Sequence, residues 1–493
     1  MAPDHANNVQ SPRANAPEMA TQVLQEASSL GYEDASPTRS ASGSMNSVST
    51  ATYKWEEQEA EKLFCQRVEE LCQLLWPPPK SMKHRLSNRL RANKLFRSLV
   101  PAPETPLIER LKGGDLNHIT GITLPSWYSE GNRNLILRVP RWDQNRLDRD
   151  MALLDYVRQK TCVPVVTIAA TDFSCSNPLE KPYVLQHRIP GSDLNTVWDN
   201  LSHSQRCIVA GELGRIVRTL LSLESPVAGI IEAAPASTGA ADSFSIVPFE
   251  LDMNGDDLVD EPKAKAKAFI DVTAPPTRQT TLDIFKTQFE RWRTVALAHN
   301  CGSVDNEVEL WDSMLKAVHE MDDLGLLKTD LNCLCHVDLH SGNIMVRSQT
   351  DMSIEITAIL DWDEAVFAPK FVNCMPPAWL WDDKYENHFD ENDLDPWPYE
   401  LEGANTTPPT LEKQEIKRMF EEHAGPEYPH LAYDEHFRLT RGLFRVAKDG
   451  LDDSNKWKAV ERILGEWETL RQSLIETEKA GRREGHHVYR KGT

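Results

Sequence analysis

One segment in the second half of the chain constrains the fold most, because it combines two apolar strands with polar residues at fixed positions. It reads LCHVDLHSGNIMVRSQTDMSIEITAILDWDEA. Asp338 and Asn343 fit the pattern H-x-D-x-x-x-x-N and precede the apolar run Ile344–Val346. A polar turn follows, and a second apolar run, Ile354–Leu360, leads into Asp361. Adjacent strands joined by a tight turn are antiparallel, so we expect Asn343 and Asp361 at the open end of one hairpin, beside Asp338.

These polar side chains suit phosphoryl transfer. A carboxylate such as Asp338 can accept the proton of an attacking hydroxyl group. The Asn343 amide oxygen and the Asp361 carboxylate are hard oxygen ligands for Mg²⁺, which offsets charge on phosphate oxygens. We interpret His336 as a support of the loop by hydrogen bonding. The alternative is a hairpin with polar ends, since Asp and Asn are common turn residues, but the joint pattern favours the functional interpretation.

The rest of the chain changes from predicted strands to predicted helices. Short branched apolar runs predict strands at Ile119–Leu124, Leu135–Val139 and Tyr183–Leu185, and a helix is predicted over Asp148–Gln159. After Gly191, a 3.6-residue periodicity predicts helices over Ser204–Leu223, Thr281–His299, Asn306–Leu324, Leu411–His423 and Lys456–Glu478. Strands followed by helices indicate an α+β protein with two lobes.

Composition shifts divide the chain into four segments. A Ser- and Thr-rich tail with little to bury is expected to be disordered. The predicted segments are this tail over residues 1–52, a helical N-terminal extension over 53–100, a β-rich N-lobe over 101–186 and a helical C-lobe over 187–493. Two weakly structured insertions are predicted inside the C-lobe, near residues 234–276 and 382–409.

Net charge and cysteine content exclude several classes of protein. The chain has 54 basic and 75 acidic residues and a formal net charge of −21, which disfavours nucleic acids and anionic membranes as partners. Its nine cysteines include no CxxC pair, so reduced thiols in a cytoplasmic protein are expected rather than a zinc ribbon. No run approaches the roughly 18 apolar residues of a membrane span, and no secretory signal is predicted.

The motifs HVDLHSGNIMV and ILDWD resemble those of the aminoglycoside phosphotransferase family, which also contains choline-kinase-like small-molecule kinases. The resemblance covers about residues 105–385. It implies a protein-kinase-like, two-lobed fold with ATP between the lobes. By resemblance, Asp338 matches the catalytic aspartate, and Asn343 and Asp361 match the ligands of Mg²⁺. Asp363 lies where many members of the family carry a further acid.

Upstream segments extend the resemblance to nucleotide-binding residues. ERLKGGDLNHITGITL resembles the loop that covers the phosphates, with Gly113, Gly114 and Asn117 at its turn. LILRVPRW resembles the strand that normally carries a lysine for the phosphates, and that place is held here by Arg138. Asp150 occupies the place of the helix glutamate that pairs with this base. Arg keeps the charge, but Asp is one methylene shorter than Glu, which puts closure of the pair in question.

The last part of the resemblance is PYVLQHRIPGSDLNTVW, which resembles the hinge and places His187 and Ile189 where backbone groups hold adenine. The sequence therefore predicts an ATP- and Mg²⁺-dependent phosphotransferase that acts on a hydroxyl group of a small molecule. One alternative is a nucleotide-binding pseudokinase that serves as a scaffold, motivated by the Arg–Asp replacement and the insertions. Another is an atypical protein kinase, disfavoured because G-x-G-x-x-G and A-P-E segments are missing.

An acidic segment after the second motif bears on the acceptor. Seven acids lie between Asp382 and Asp395. In the resembling family this part of the chain helps to form the acceptor side of the cleft, where acids would attract cations. We therefore predict a neutral or cationic acceptor, with a solvated acidic surface as the alternative.

Overall fold

The structure, a computed structural model, describes most of the chain. The described residues are 50–77, 105–111, 117–128, 131–141, 146–234, 244–251, 277–299, 304–328, 331–350, 352–382, 405–451 and 454–489. The chain divides into two units, residues 1–60 and 61–493. Helix α1 (Thr50–Leu75) supplies the described residues of the first unit. The tail predicted to be disordered therefore lies almost entirely outside the described residues.

The N-terminal part of the second unit is a five-stranded antiparallel sheet in the order β1-β2-β3-β5-β4. Its strands are β1 (Leu107–Arg110), β2 (Asn117–Thr123), β3 (Asn134–Pro140), β4 (Ile168–Asp172) and β5 (Tyr183–His187). Helix α2 (Leu147–Lys160) connects β3 to β4. The three strands and the helix predicted here are confirmed. The sequence analysis missed β1 and β4, which form the two edges of the sheet.

Alternation along β3 gives the sheet two different faces. Leu135 and Leu137 are fully buried on one face, where they form a core with Val68 and Leu71 of α1. Because successive side chains of a strand point to opposite faces, Arg138 projects from the other face. The strand thereby places one guanidinium group on the side of the sheet that faces the rest of the molecule.

The C-lobe is mostly helical. Its helices are α3 (Leu194–Val197), α4 (His203–Leu221), α5 (Thr281–His299), α6 (Val304–Asp323), α7 (Leu411–Ala424), α8 (Tyr428–Tyr433), α9 (Glu435–Asp449) and α10 (Ser454–Tyr489). All five predicted helices of this lobe are confirmed, whereas α3, α8 and α9 were missed. Helix α4 begins with a capping box in which Ser202 and Gln205 exchange side-chain and backbone hydrogen bonds, which satisfies orphan amides of the first turn.

Short strands complete the C-lobe. They are β6 (Ser192–Asp193), β7 (Glu224–Ser225), β8 (Ile230–Ala233), β9 (Phe244–Val247), β10 (Asn332–Cys335), β11 (Ile344–Thr350), β12 (Ser353–Ile359) and β13 (Val366–Pro369). Strands β11 and β12 pair in antiparallel fashion with Ile344 opposite Ile359, so the predicted hairpin is confirmed. β6 pairs with β11, and Gly191 permits this approach, since a Cβ there would lie 2.1 Å from the Val346 carbonyl oxygen.

The predicted two-lobed, kinase-like α+β architecture is confirmed, with an antiparallel N-terminal sheet and a helical C-lobe. Within the described part of the chain, no helix combines the length and the apolar character needed to cross a membrane. The expected loop residues Gly113 and Gly114 lie outside the described residues, as do most of the two predicted insertions and the acids of the 382–395 segment after Asp382.

Candidate active site

Asp338 and Asn343 are in direct contact in the loop between β10 and β11. The Asn343 side-chain amide donates hydrogen bonds to the Asp338 carboxylate at 2.9 Å and to the Asp338 carbonyl oxygen at 3.0 Å. Asn343 ends a 3-10 turn, Ser341–Asn343, which is capped by the His340 ring accepting from the Gly342 amide. The loop is therefore closed by its own side chains, and the Asn343 amide oxygen stays available for another ligand.

His336 joins this loop to the segment that carries Asp361. The imidazole is fully buried, and its Nε2 donates to the Leu360 carbonyl oxygen at 2.9 Å. The Leu360 amide in turn donates to the Asn343 carbonyl oxygen at 2.8 Å. The supporting role predicted for His336 is confirmed by these bonds, which fix Asp361 beside Asp338 and Asn343.

The burial of His336 predicts a pH dependence of stability. Burial lowers the pKa of this imidazole from 6.5 to about 4. Between these values the unfolded chain binds a proton that the folded chain does not, so the free energy of unfolding falls as the pH drops through this window. Across the whole window, this loss in the free energy of unfolding amounts to about 3 kcal/mol. Urea unfolding of His336→Gln at several pH values should therefore show a flatter dependence than the wild type.

A matched control separates this effect from general acid sensitivity. The exposed His319 on α6 offers the same substitution without burial, and His319→Gln should keep the wild-type slope. If the free energy of unfolding depends on pH with the same slope in both variants, the pH dependence does not come from the burial of His336.

Two non-glycine residues of the site have a left-handed backbone conformation. Val337 has φ of 69° and Asp361 has φ of 58°. Aspartate tolerates this region, whereas a β-branched valine rarely adopts it, and such strain costs on the order of 1–3 kcal/mol. Val337 lies between His336 and Asp338, and Asp361 follows Leu360. The hydrogen bond from His336 to the Leu360 carbonyl oxygen therefore holds both of these backbone positions where the two loops meet.

Arg138 of β3 lies among acidic side chains from two parts of the chain, helix α2 and the segment after β12. Its Nη2 atom is 2.5 Å from the Asp363 carboxylate and 3.8 Å from that of Asp150 on α2. Asn117 also donates to Asp363, at 3.3 Å. The expected Arg138–Asp150 pair is present but long, in keeping with the shorter aspartate side chain. Asp363, noted from the resemblance only as a further acid, is the nearer partner.

The acids have shifted pKa values because several are buried around one cation. Burial and the negative charge of Asp363 raise the pKa of Asp150 well above its usual range and that of Asp361 to about 6. Burial also acts to raise the pKa of Asp338, but the hydrogen bond from the His340 ring keeps this pKa below its ordinary value. Asp338 is therefore ionised near neutral pH, as a proton acceptor must be.

The donor set at this point fits a divalent cation. Asp361, Asp363 and Asn343 supply the carboxylate and amide oxygens that Mg²⁺ prefers. Asp363 Oδ1 is buried and has no hydrogen-bond partner within the described part of the chain, which is costly unless a cation or other donor satisfies it. A bound cation would also lower the repulsion that raises the pKa of Asp361.

A first cavity of about 600 Å³ lies between the sheet and the β11–β12 hairpin. It is lined by seven of the residues singled out in the sequence: Asn117, Arg138, Asp150, His187, Ile189, Asn343 and Asp361. Apolar side chains of both lobes line part of the rest, among them Ile136, Val166 and Ile359. The His187 amide already donates to the Thr167 carbonyl oxygen at 2.8 Å, so its carbonyl is the backbone group to consider for a ligand.

A second cavity of about 810 Å³ meets the first at Asn117, Asp150 and Asp363, and Asp338 lines this second cavity. Part of its wall comes from β8 and from Phe249 to Leu251 after β9. Sequence analysis had assigned no function to this region.

The β8–β9 hairpin also holds α2 in place. Arg149 of α2 forms ion pairs with Glu232 of β8 and with Glu250, which follows β9, and Tyr156 of α2 packs edge-to-face on Phe244 at 5.4 Å. Asp150 follows Arg149 directly, so the hairpin helps to set the position of Asp150 against Arg138.

Sequence analysis also missed Gln186, which lines the first cavity next to the predicted hinge. Its Oε1 is buried without a hydrogen-bond partner among the described residues. The alternation Tyr183-Val184-Leu185-Gln186 in β5 could have revealed a polar side chain on the cavity side of the strand.

Comparison with known families identifies the class of protein. The model of the phosphotransferase enzyme family matches residues 126–394, more than half of the chain. The chain therefore belongs to this family, and it is a phosphotransferase. The match contains the motifs around Asp338 and Asp361 and the hinge segment, which confirms the family resemblance noted in the sequence.

Several solved structures are similar to this chain. A thermostable mutant of an aminoglycoside phosphotransferase has 15% identity and a TM-score of 0.38, over 75% of this chain and 95% of that chain. Choline kinase from Cryptosporidium parvum has 11% identity and a TM-score of 0.39, over 80% and 97%. Ethanolamine kinase from Plasmodium vivax has 13% identity and a TM-score of 0.33, over 75% and 83%. No curated protein matches the sequence.

Proposed function

We propose that the chain transfers the γ-phosphoryl group of ATP, with Mg²⁺, to a hydroxyl group of a small molecule. The observation that carries this proposal is the junction of the two cavities. Seven predicted nucleotide- and metal-binding residues line the first cavity, and Asp338 lines the second beside the boundary. A nucleotide in the first cavity and an acceptor in the second would meet at this boundary.

The chain's residues then have distinct roles. Asp338 accepts the proton of the acceptor hydroxyl, and Asn343 orients the Asp338 carboxylate through its amide. Asn343 and Asp361 hold the metal ion, with Asp363 as a further oxygen ligand. When bound, ATP supplies the phosphoryl group and Mg²⁺ offsets the charge on its oxygens. Positioning and electrostatics contribute most of the catalysis in such transfers.

Nucleotide binding involves both lobes. His187 and Ile189 offer backbone groups to adenine, while apolar residues of the first cavity enclose its faces. Arg138 contacts the phosphates and remains charged, because the acids around it outweigh the effect of burial on its pKa.

We place the boundary between the lobes at residues 186–187.

Arg138 provides a test of the nucleotide site. Arg138→Gln should weaken nucleotide affinity roughly ten- to hundredfold, the effect of losing hydrogen bonds to a charged group. Calorimetric titration with a non-hydrolysable ATP analogue measures this change, and thermal melts verify that the variant remains folded. Arg141→Gln is the matched control on the same segment and should have a much smaller effect. A larger loss of nucleotide affinity in Arg141→Gln than in Arg138→Gln would mean that β3 has another register relative to the nucleotide.

A scaffold that binds nucleotide without turnover is the second candidate. It is favoured by one observation: Arg138 is bound to Asp363 at 2.5 Å and only loosely to Asp150. Measured phosphoryl transfer separates the two proposals. A screen of hydroxyl compounds for ADP formation tests catalysis, and nucleotide binding without ADP formation for any acceptor would support the scaffold.

The same screen tests the proposed charge of the acceptor. Five basic and six acidic residues line the second cavity, so its described wall has no excess of positive charge that would select an anion. We propose a neutral or cationic acceptor. We expect neutral or cationic hits, and hits restricted to carboxylated or phosphorylated compounds would contradict the proposal.

The acidic segment after the metal-binding loop gives a second test of acceptor charge. Replacing Asp390, Glu391, Asp393 and Asp395 together by Asn or Gln should raise the apparent KM for a cationic acceptor at low salt. The effect should shrink at high salt, because salt screens the field, while ATP affinity should stay unchanged. An unchanged KM at low salt would make the segment a solvated surface without influence on the acceptor.

A further inference from the structure

Away from the active site, three side chains of metal-binding types converge between α4 and α7. His203 and Cys207 lie one turn apart on α4, and Glu415 projects from α7. His203 Nε2 is 2.8 Å from a Glu415 carboxylate oxygen and 3.5 Å from Cys207 Sγ. The donor atoms of all three lie within 4.8 Å of one another. One ring nitrogen therefore faces both a sulfur and an oxygen.

The two helices hold this arrangement rigidly. A Cβ at Gly214 of α4 would lie 2.4 Å from the Phe420 carbonyl oxygen of α7, and one at Gly211 would lie 3.4 Å from the His423 ring. The absence of a side chain at Gly214 lets the two backbones touch. The capping box at Ser202 fixes the first turn of α4, which contains His203. Ligands on packed helices are better positioned than ligands on loops.

The donor separations match those of a tetrahedral Zn²⁺ site. With bonds of about 2.0 Å to nitrogen and about 2.3 Å to sulfur, a tetrahedral angle separates the two donors by about 3.5 Å. The His203–Cys207 separation already has this value. Nitrogen and carboxylate oxygen would be about 3.3 Å apart, which requires Glu415 to withdraw slightly, and its side chain is 50% exposed and free to adjust.

The chemistry of the three donors selects a particular group of metals. Imidazole, thiolate and carboxylate together favour borderline-soft ions such as Zn²⁺ over Mg²⁺ or Ca²⁺. A Cys207 thiolate and a Glu415 carboxylate supply two negative charges that balance a divalent ion. Arg418 is 3.9 Å from Glu415, but its closer partner is Glu422 at 2.8 Å. Arg418 therefore pairs mainly with Glu422 rather than with Glu415.

We propose that His203, Cys207 and Glu415 bind one zinc-class divalent cation, with water in the fourth position. The described linings of the two cavities do not include these residues, so this site is separate from the Mg²⁺ site. The bound ion would link α4 to α7 and would stabilise the C-lobe, because a ligand that binds only the folded state raises apparent stability.

Cobalt provides the direct test, because Co²⁺ bound to thiolate has an intense near-ultraviolet charge-transfer band. The full chain, stripped with a chelator, should develop this band on addition of one equivalent of Co²⁺, and Zn²⁺ should abolish it. Cys207→Ser should lose the band. His203→Gln and Glu415→Gln should weaken affinity by about tenfold or more, the size of effect seen even for residues that only support a ligand.

Controls make the outcome decisive. Cys162 is an exposed free cysteine elsewhere in the chain, and Cys162→Ser should keep the band at full intensity. Zn²⁺ should raise the Tm of the wild type more than that of Cys207→Ser. The proposal is overturned if the wild type gives no thiolate band or if the band persists in Cys207→Ser. Equal Tm shifts in the two proteins would reduce the cluster to a His203–Glu415 ion pair.

Discussion

The Asp338→Asn variant is expected to keep its fold and nucleotide affinity while losing about two to four orders of magnitude in turnover, the usual span for a general base. An asparagine cannot take up the proton of the acceptor hydroxyl. Its side-chain oxygen can still accept the hydrogen bond that Asn343 donates to Asp338, so the loop should keep its shape. Steady-state kinetics with an acceptor identified by the screen, together with nucleotide titration, measure the two properties separately.

Asp449 supplies the matched control for this substitution. It lines the same second cavity, and its carboxylate pairs with Lys448 at 2.9 Å. Asp449→Asn should therefore change the charge of the cavity by the same amount and leave turnover within a few fold. Near wild-type turnover of Asp338→Asn would exclude proton transfer by Asp338. Equal losses in the two variants would assign the effect to the charge of the cavity.

The second large effect is expected for Asp361. The Asp361→Ala variant should lose the Mg²⁺-dependent part of the thermal stabilisation by ATP, because one of the proposed metal ligands is removed. A ligand present at a hundred times its Kd stabilises the folded state by about 2.7 kcal/mol, so the loss should be evident in melts. Each protein is compared with ATP alone and with ATP plus Mg²⁺, and an unchanged Mg²⁺ contribution in the variant would place the metal elsewhere.

Two further measurements refine this test. Asp361→Asn keeps a residue that tolerates positive φ, so it separates loss of the carboxylate from the backbone strain that alanine adds at this position, and it should also lose the Mg²⁺ effect. In the wild type, burial and Asp363 raise the pKa of Asp361 to about 6. A proton therefore competes with the metal below this pH, and the Mg²⁺ contribution should weaken as the pH falls through 6.

The β11–β12 hairpin was predictable because its information is local. Two branched apolar runs flank a polar turn, and a hairpin needs no distant partner to specify antiparallel pairing. Asn343 and Asp361 therefore lie at the open end of one hairpin, as predicted, and the structure shows that they line one cavity. The same holds for α5, whose predicted and observed bounds are both Thr281–His299, since its periodicity is continuous.

Helix α9 and the edge strand β1 were missed for physical reasons. Helix α9 contains Thr440 and Gly442, which lower local helix propensity, while burial of Phe437 and Leu443 stabilises it in the folded chain. The edge strand β1 is short and largely exposed, so its apolar pattern is weak. Pairing with β2, rather than its own sequence, makes it a strand.

The sequence by itself determined the class of protein, the change from a strand-rich to a helical part of the chain, and the residues of the two motifs, because all of these depend on patterns within a few tens of residues. Only the tertiary structure decided that Asp363 is nearer to Arg138 than Asp150 is. It alone placed Glu415 beside His203 and set the β8–β9 hairpin against α2. These partners lie far apart in sequence, and their separations depend on how helices and sheets pack, which no local pattern encodes.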